Sequence, residues 1–170
     1  MTEPELRALL DKQAIAEVVY RYARGIDRLD EDVIQTCFHP GAYDDHGFIR
    51  GDAHEVSARI VRVLRKTTDR TTHTLGQVMV ELDGDTAFAE SYVVAFHRMM
   101  RDGAEVDWVA HGRYVDRFER RDGEWKIARR KVVHSWDRYD PVTEKSDETA
   151  DFWNPSSRSQ EDPLYHAREL

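Results

Sequence analysis

The side chains of this sequence that could do chemistry together are Asp27, His73, Tyr22, Arg130 and His111. Asp27 follows Tyr20-Arg21-Tyr22-Ala23-Arg24-Gly25-Ile26, where an apolar-striped helix is expected to close on glycine and then present a carboxylate. Ile26 beside that cap turns the chain inward and makes Asp27 a candidate base, although Asp27 can also cap a following helix together with Asp30. His73 stands after two threonines and before Leu75, at the head of the first long strand, where a neutral imidazole can face an interior. A carboxylate beside an imidazole fixes its tautomer and stabilises the imidazolium, which makes the histidine a competent general base. Tyr22 can offer its phenol to a carbonyl or a leaving hydroxyl, or serve as an amphipathic core residue. Arg130, five residues after Trp125, is expected on the opposite face of its strand, in phase with Lys126, Ala128 and Val132. There it either enters a pocket to pair with Asp27 or polarise substrate, or joins Arg129 and Lys131 in a charged face. His111, sharing a strand face with Val109 and Val115, is a second acid–base candidate.

The elements that must position these groups are legible from periodicity. Thr2, Pro4 and Glu5 form a helix start, and Leu6, Leu10, Ala14, Val18 and Tyr22 recur at helical spacing up to Gly25. Asp30 caps a short second helix ended by His39-Pro40-Gly41, in which Cys37 is a buried, inert thiol. Ala42 to Arg50 reads as one or two short strands, and Asp52 with Glu55 opens a third helix running to about Thr67. After Asp69 the period falls to two. Thr71–Leu82, Thr86–Met100, Val106–Arg120 and Trp125–Trp136, joined by turns at Asp83-Gly84-Asp85, Asp102-Gly103 and Asp122-Gly123, form an antiparallel meander. Such long strands must curl. The expectation is an α+β domain over residues 1–139, with three helices packed on a strongly curved sheet. An extended tail over 140–170 would follow, with Phe152, Trp153 and Tyr165 docked on this subunit or a neighbour.

On this layout the chain resembles the SnoaL-like branch of the nuclear-transport-factor-2-like (NTF2-like) superfamily, a cone-shaped, cystatin-like fold. The residues that carry the resemblance are Ala14-Ile15, the stretch from Tyr20 to Arg28, Gly51, Thr71-Thr72-His73, Asp83-Gly84-Asp85, Ala87, Gly112-Arg113-Tyr114 and the run from Asp122 to Arg130. It is similar to scytalone dehydratase, bile-acid 7-alpha-dehydratase and lindane dehydrochlorinase. The resemblance implies that Asp27 and His73 act as a dyad, that Tyr22 faces the pocket, that Arg130 reaches it, and that a histidine near His111 takes part. The implied activity is a cofactor-independent lyase acting by proton abstraction on a small, mostly apolar cyclic substrate. The alternatives are a ketosteroid-isomerase-like isomerase, or a non-catalytic ligand-binding module or small oxygenase subunit, since this fold hosts all of these. Tyr43, Leu64, Val94, Phe96 and Trp108 are expected to line the pocket.

Composition narrows the partners. A net charge of −8, with 33 acidic against 25 basic residues, argues against nucleic acid or an anionic membrane. With no leader or spanning stretch read from the sequence, a cytoplasmic protein is expected. His39, His46 and His54 are assigned to a turn, a loop and a helix start. Asp44-Asp45-His46 has no second cluster to complete a metal site, so neither metal nor cofactor is expected. The convex face of the sheet, assigned Val93, Ala95, Tyr114, Phe118, Ile127 and Val133 or their opposite-face neighbours, needs covering. A homodimer or homotrimer through the sheet is therefore expected, with Phe152 and Trp153 reaching across.

Overall fold

The structure, a computed structural model, describes residues 1–145 and 154–169. Its order is α1 (Glu3–Arg28), α2 (Glu31–Gln35), β1 (Phe38–Asp45), β2 (Arg50–Asp52), α3 (Ala53–Thr67), β3 (Thr68–Asp83), β4 (Thr86–Arg101), β5 (Ala104–Arg121), β6 (Glu124–Pro141) and a 3-10 helix (Pro163–Glu169). The sheet runs β2-β1-β6-β5-β4-β3, antiparallel throughout except that β1 lies parallel to β6. The helices cover one face of this curved sheet in an α+β cone. Ile15, Val19, Tyr22 and Ile26 of α1 meet Val93, Tyr114, Phe118 and Ile127 in the core between them.

The capping box forms at Thr2 and Glu5 as expected. The other end of α1 differs. The helix continues past Gly25 to Arg28, and Leu29, at φ 53°, is the left-handed residue that closes it. Gly25 serves close approach instead: a Cβ there would lie 2.7 Å from Cγ1 of Ile34, where α2 crosses. Asp30 alone caps α2, leaving Asp27 on the last turn of α1 with its side chain free to reach β3. The start of α1 also departs from expectation, because Leu6 and Leu10, with Leu9, are exposed rather than packed.

Pro40-Gly41 does not end an element but sits within β1, at the register shift between Phe38 and Tyr43 against β6. A bulge tolerates a residue without a donor and one without a side chain, so a turn signal is absorbed into a strand. Two bulges in β6 change the expected facing of its residues. Phe118 pairs with Ile127 and Arg117 with Arg129, so Ala128 is the extra residue and the inward phase passes from Trp125 and Ile127 to Arg130 and Val132. Ser135 is skipped in the same way opposite His111 and Gly112. In β4 the phase is the reverse of the one expected, so Val93 and Ala95, with Tyr114, Phe118 and Ile127, face the helices. The opposite face carries Phe88, Tyr92 and Val115 among arginines.

The tail is not wholly extended. Tyr165 donates from its hydroxyl to Asp30, and Arg158 donates to the backbone carbonyls of Thr68 and Asp69, so the tail docks beside α1 and the start of β3 of its own chain. Phe152 and Trp153 lie outside the described residues.

Gly25→Ala is expected to lower the urea midpoint without changing the slope. Overpacking of about 1–3 kcal/mol against Ile34 exceeds the roughly 1 kcal/mol of helix propensity gained. A higher midpoint would refute this account of Gly25.

Candidate active site

Asp27 and His73 meet twice. His73 Nδ1 lies 2.7 Å from Asp27 Oδ1, and the His73 backbone N–H donates to Oδ2 at 2.9 Å. Gripping one residue by ring and main chain fixes both the rotamer and the tautomer. Nδ1–H donates to the carboxylate, and Nε2 is left with its lone pair. The ring borders a cavity of about 720 Å³ between the helices and the sheet. That volume is within the range of small-molecule sites, and its walls are largely apolar, from Ile26, Leu64, Val93, Trp108 and Val132. A smaller cleft of about 330 Å³ opens on Asp27 from the far side, among Tyr20, Arg24 and Arg28, so the carboxylate stands behind the ring as seen from the cavity.

His97, from the neighbouring strand, packs its ring edge-on to His73 at 5.6 Å and tilted over Trp108 at 4.8 Å. Burial, reinforced by His73 and Arg158, pulls its pKa down to about 3, so it is a neutral wall of the site. The sequence reading missed His97 because it placed the wrong phase of β4 inward. For the same reason Val94 and Phe96 do not line the cavity. Tyr43 also lies outside it, with Arg129 over its ring on the other face of β1.

Tyr22 borders the cavity from α1, its ring edge-on to Phe38 and Tyr114 and its hydroxyl 3.4 Å from His46 Nε2. Burial, then Asp44, pushes its phenol well above the ordinary value, which keeps the hydroxyl a donor. His46 was read as an ordinary loop residue. Yet Ala42, Asp44 and His46 alternate on one face, which puts Asp44 and His46 on the inner side of the sheet. That spacing of two is the signal in the sequence, obscured by the turn-formers among which these one or two short strands are read.

Arg130 is inward but does not reach Asp27. Its Nε and Nη2 donate to the two oxygens of Asp116 at 2.8 and 2.7 Å, both residues being fully buried, and the mutually perpendicular rings of Tyr22 and Tyr114 each lie 4.1 Å from the guanidinium carbon. Burial acts against the Arg130 charge, but Asp116 outweighs it and raises its pKa, so the guanidinium holds its proton. It shapes the wall behind Tyr22. His111 touches the cavity edge, but its ring stacks on Trp136 at 3.8 Å in the phase of Val109 and Val115, away from the dyad. Among the described residues no group of three or more His, Cys, Asp or Glu side chains is placed to hold a metal. Among the described residues no helix is long and apolar enough to cross a membrane.

The model of the SnoaL-like domain matches residues 7–131. Among solved structures, a hexachlorocyclohexane dehydrochlorinase from Novosphingobium barchaimii is 18% identical, with a TM-score of 0.71 over 89% of this chain and 99% of that one. A protein from Novosphingobium aromaticivorans put forward as a scytalone dehydratase is 17% identical, with a TM-score of 0.69 over 82% and 97%. An NTF2-like protein with a cystatin-like fold from the same species is 25% identical, with a TM-score of 0.62 over 77% and 86%. No protein of curated function matches the sequence.

His97 gives the site a measurable acid sensitivity. The unfolded chain takes a proton at this residue below its ordinary 6.5 while the folded one refuses it until about 3. Stability is therefore lost as pH falls from 6.5, by up to roughly 1.4 kcal/mol per pH unit. Chemical denaturation of His97→Phe between pH 7 and 4 is expected to show a flatter pH dependence than the unaltered protein. An unchanged slope would contradict the assignment.

Proposed function

The chain belongs to the SnoaL-like family, and within it we propose that it is a cofactor-independent lyase acting on a small, apolar, cyclic molecule by proton abstraction. The observation that carries this reading is the double contact of Asp27 with His73, which leaves Nε2 of a fixed imidazole at the wall of an apolar cavity. In the proposed reaction that nitrogen takes a proton from a carbon beside an electron-withdrawing or leaving group. The C–H electron pair becomes a double bond, and the group on the adjacent carbon departs with its bonding pair. Asp27 stabilises the imidazolium, and the Tyr22 hydroxyl donates to the departing group. The names of the dehydrochlorinase and dehydratase neighbours fit an elimination. The polar side chains around the cavity weigh against a purely structural role, since each costs stability when buried.

His73→Ala is expected to lower kcat on a cyclic hydroxy, keto or halogenated substrate by at least about 10²-fold, the usual contribution of a general base, and Asp27→Asn to lower it without unfolding the chain. A loss below about tenfold in His73→Ala would end the base assignment. We also propose self-association into a dimer or trimer through the sheet face that exposes Phe88, Tyr92 and Val115. Light scattering at micromolar concentration is expected to return a dimer or trimer mass, and a monomer would exclude it.

A further inference from the structure

The cavity has a second carboxylate–imidazole pair that the step above does not use. Asp44 is fully buried on β1, and His46 Nδ1 lies 3.0 Å from its Oδ1. The contact is off the line of an ideal hydrogen bond, and neither Asp44 oxygen meets a well-aligned donor among the described residues. Such a carboxylate is costly unless a cation answers it. The cation nearby, Arg130, gives its Nε and Nη2 to Asp116, which is equally buried, and its Nη1 meets no hydrogen-bond partner among the described residues. This wall therefore sets two carboxylates, Asp44 and Asp116, against one guanidinium and one imidazole. The other ring nitrogen, Nε2, faces the Tyr22 hydroxyl at 3.4 Å, and both side chains border the cavity. His46 and His73 also come from opposite ends of the sheet order, one from the turn between β1 and β2 and the other from β3, so they flank the same space.

We infer that His46, backed by Asp44, is the acid of the reaction and supplies, through the Tyr22 hydroxyl, the proton that a departing oxygen needs. The inference rests on the lyase reading. As His73 Nε2 takes the carbon-bound proton and the C–H pair becomes the double bond, the C–O pair leaves with oxygen. The Tyr22 O–H proton moves to that oxygen, and the Nε2–H proton of His46 refills the phenol, so water departs and His46 is left neutral. One ring has gained a proton and the other has lost one, and exchange with solvent resets both.

A leaving group that needs no proton separates this role from a structural one. The test uses pairs of cyclic β-substituted ketones that differ only in carrying hydroxyl or chloride. His46→Gln is expected to slow loss of hydroxyl by about 10²-fold or more while leaving loss of chloride within about threefold of the unaltered protein, because only the former needs a general acid. Asp44→Asn should show the same selectivity in weaker form, and His73→Gln should slow both members of a pair alike. Equal losses for hydroxyl and chloride in His46→Gln, or no loss for either, would overturn the acid assignment while leaving the lyase reading standing. Failure of the unaltered protein to turn over either member across a panel of such pairs would instead remove the lyase reading itself.

Discussion

A guanidinium taken entirely out of water sets the terms for this cavity. Arg130 has no exposed surface, and it is tolerated because Asp116 receives two of its donors in parallel and two tyrosine rings, at right angles to each other, lie against it. That arrangement needs a residue on β5, a residue on β6 and an aromatic from α1 in one place, so it fixes how the first helix sits on the sheet. Tyr22 is held by it, and Tyr22 is the residue that joins the helix side of the cavity to the β1 side. Removing either member of the ion pair would strand the other as an uncompensated buried charge, typically a loss of about 3–5 kcal/mol.

The groups proposed to act sit on rigid elements, with the exception of His46. Asp27 is on the last turn of a 26-residue helix and His73 is inside a 16-residue strand. The short link between them is two hydrogen bonds to one residue, so little freedom is left to lose when a substrate binds. The left-handed Leu29 that ends the helix is part of this arrangement. It reverses the chain directly after Asp27, so that α2 can cross at Gly25 and the carboxylate stays within reach of β3.

Much of this could be read from the sequence, and what could not has identifiable causes. The meander, its hairpins and the start of each helix follow from period and turn chemistry, which act locally. The pairing of Asp27 with His73 was accessible because resemblance placed both residues. The facing of β4 was not, because a strand with apolar side chains on both sides, such as Val93, Val94, Ala95 and Phe96, carries no alternation to choose a face. The phase of β6 changed at Ala128, since a bulge adds a residue without a sequence mark of its own. Pro40-Gly41 read as a stop because local propensity cannot see β6, the strand that turns this segment into an inner member of the sheet.

The parallel pairing of β1 with β6 also bears on how the chain assembles. Hairpins from β3 to β6 join residues close in sequence and can form early, whereas Asp44 meets Arg130 at a sequence separation of 86. Closing so long a loop carries a large entropic cost before any contact rewards it, so this junction belongs among the late events of folding. Until it closes, β6 is an open edge, and the wall that contains Asp44 and His46 does not exist. The chain thus completes its hydrophobic cone and its last polar wall in one step, and a molecule caught before that step would be a compact meander with a sticky strand.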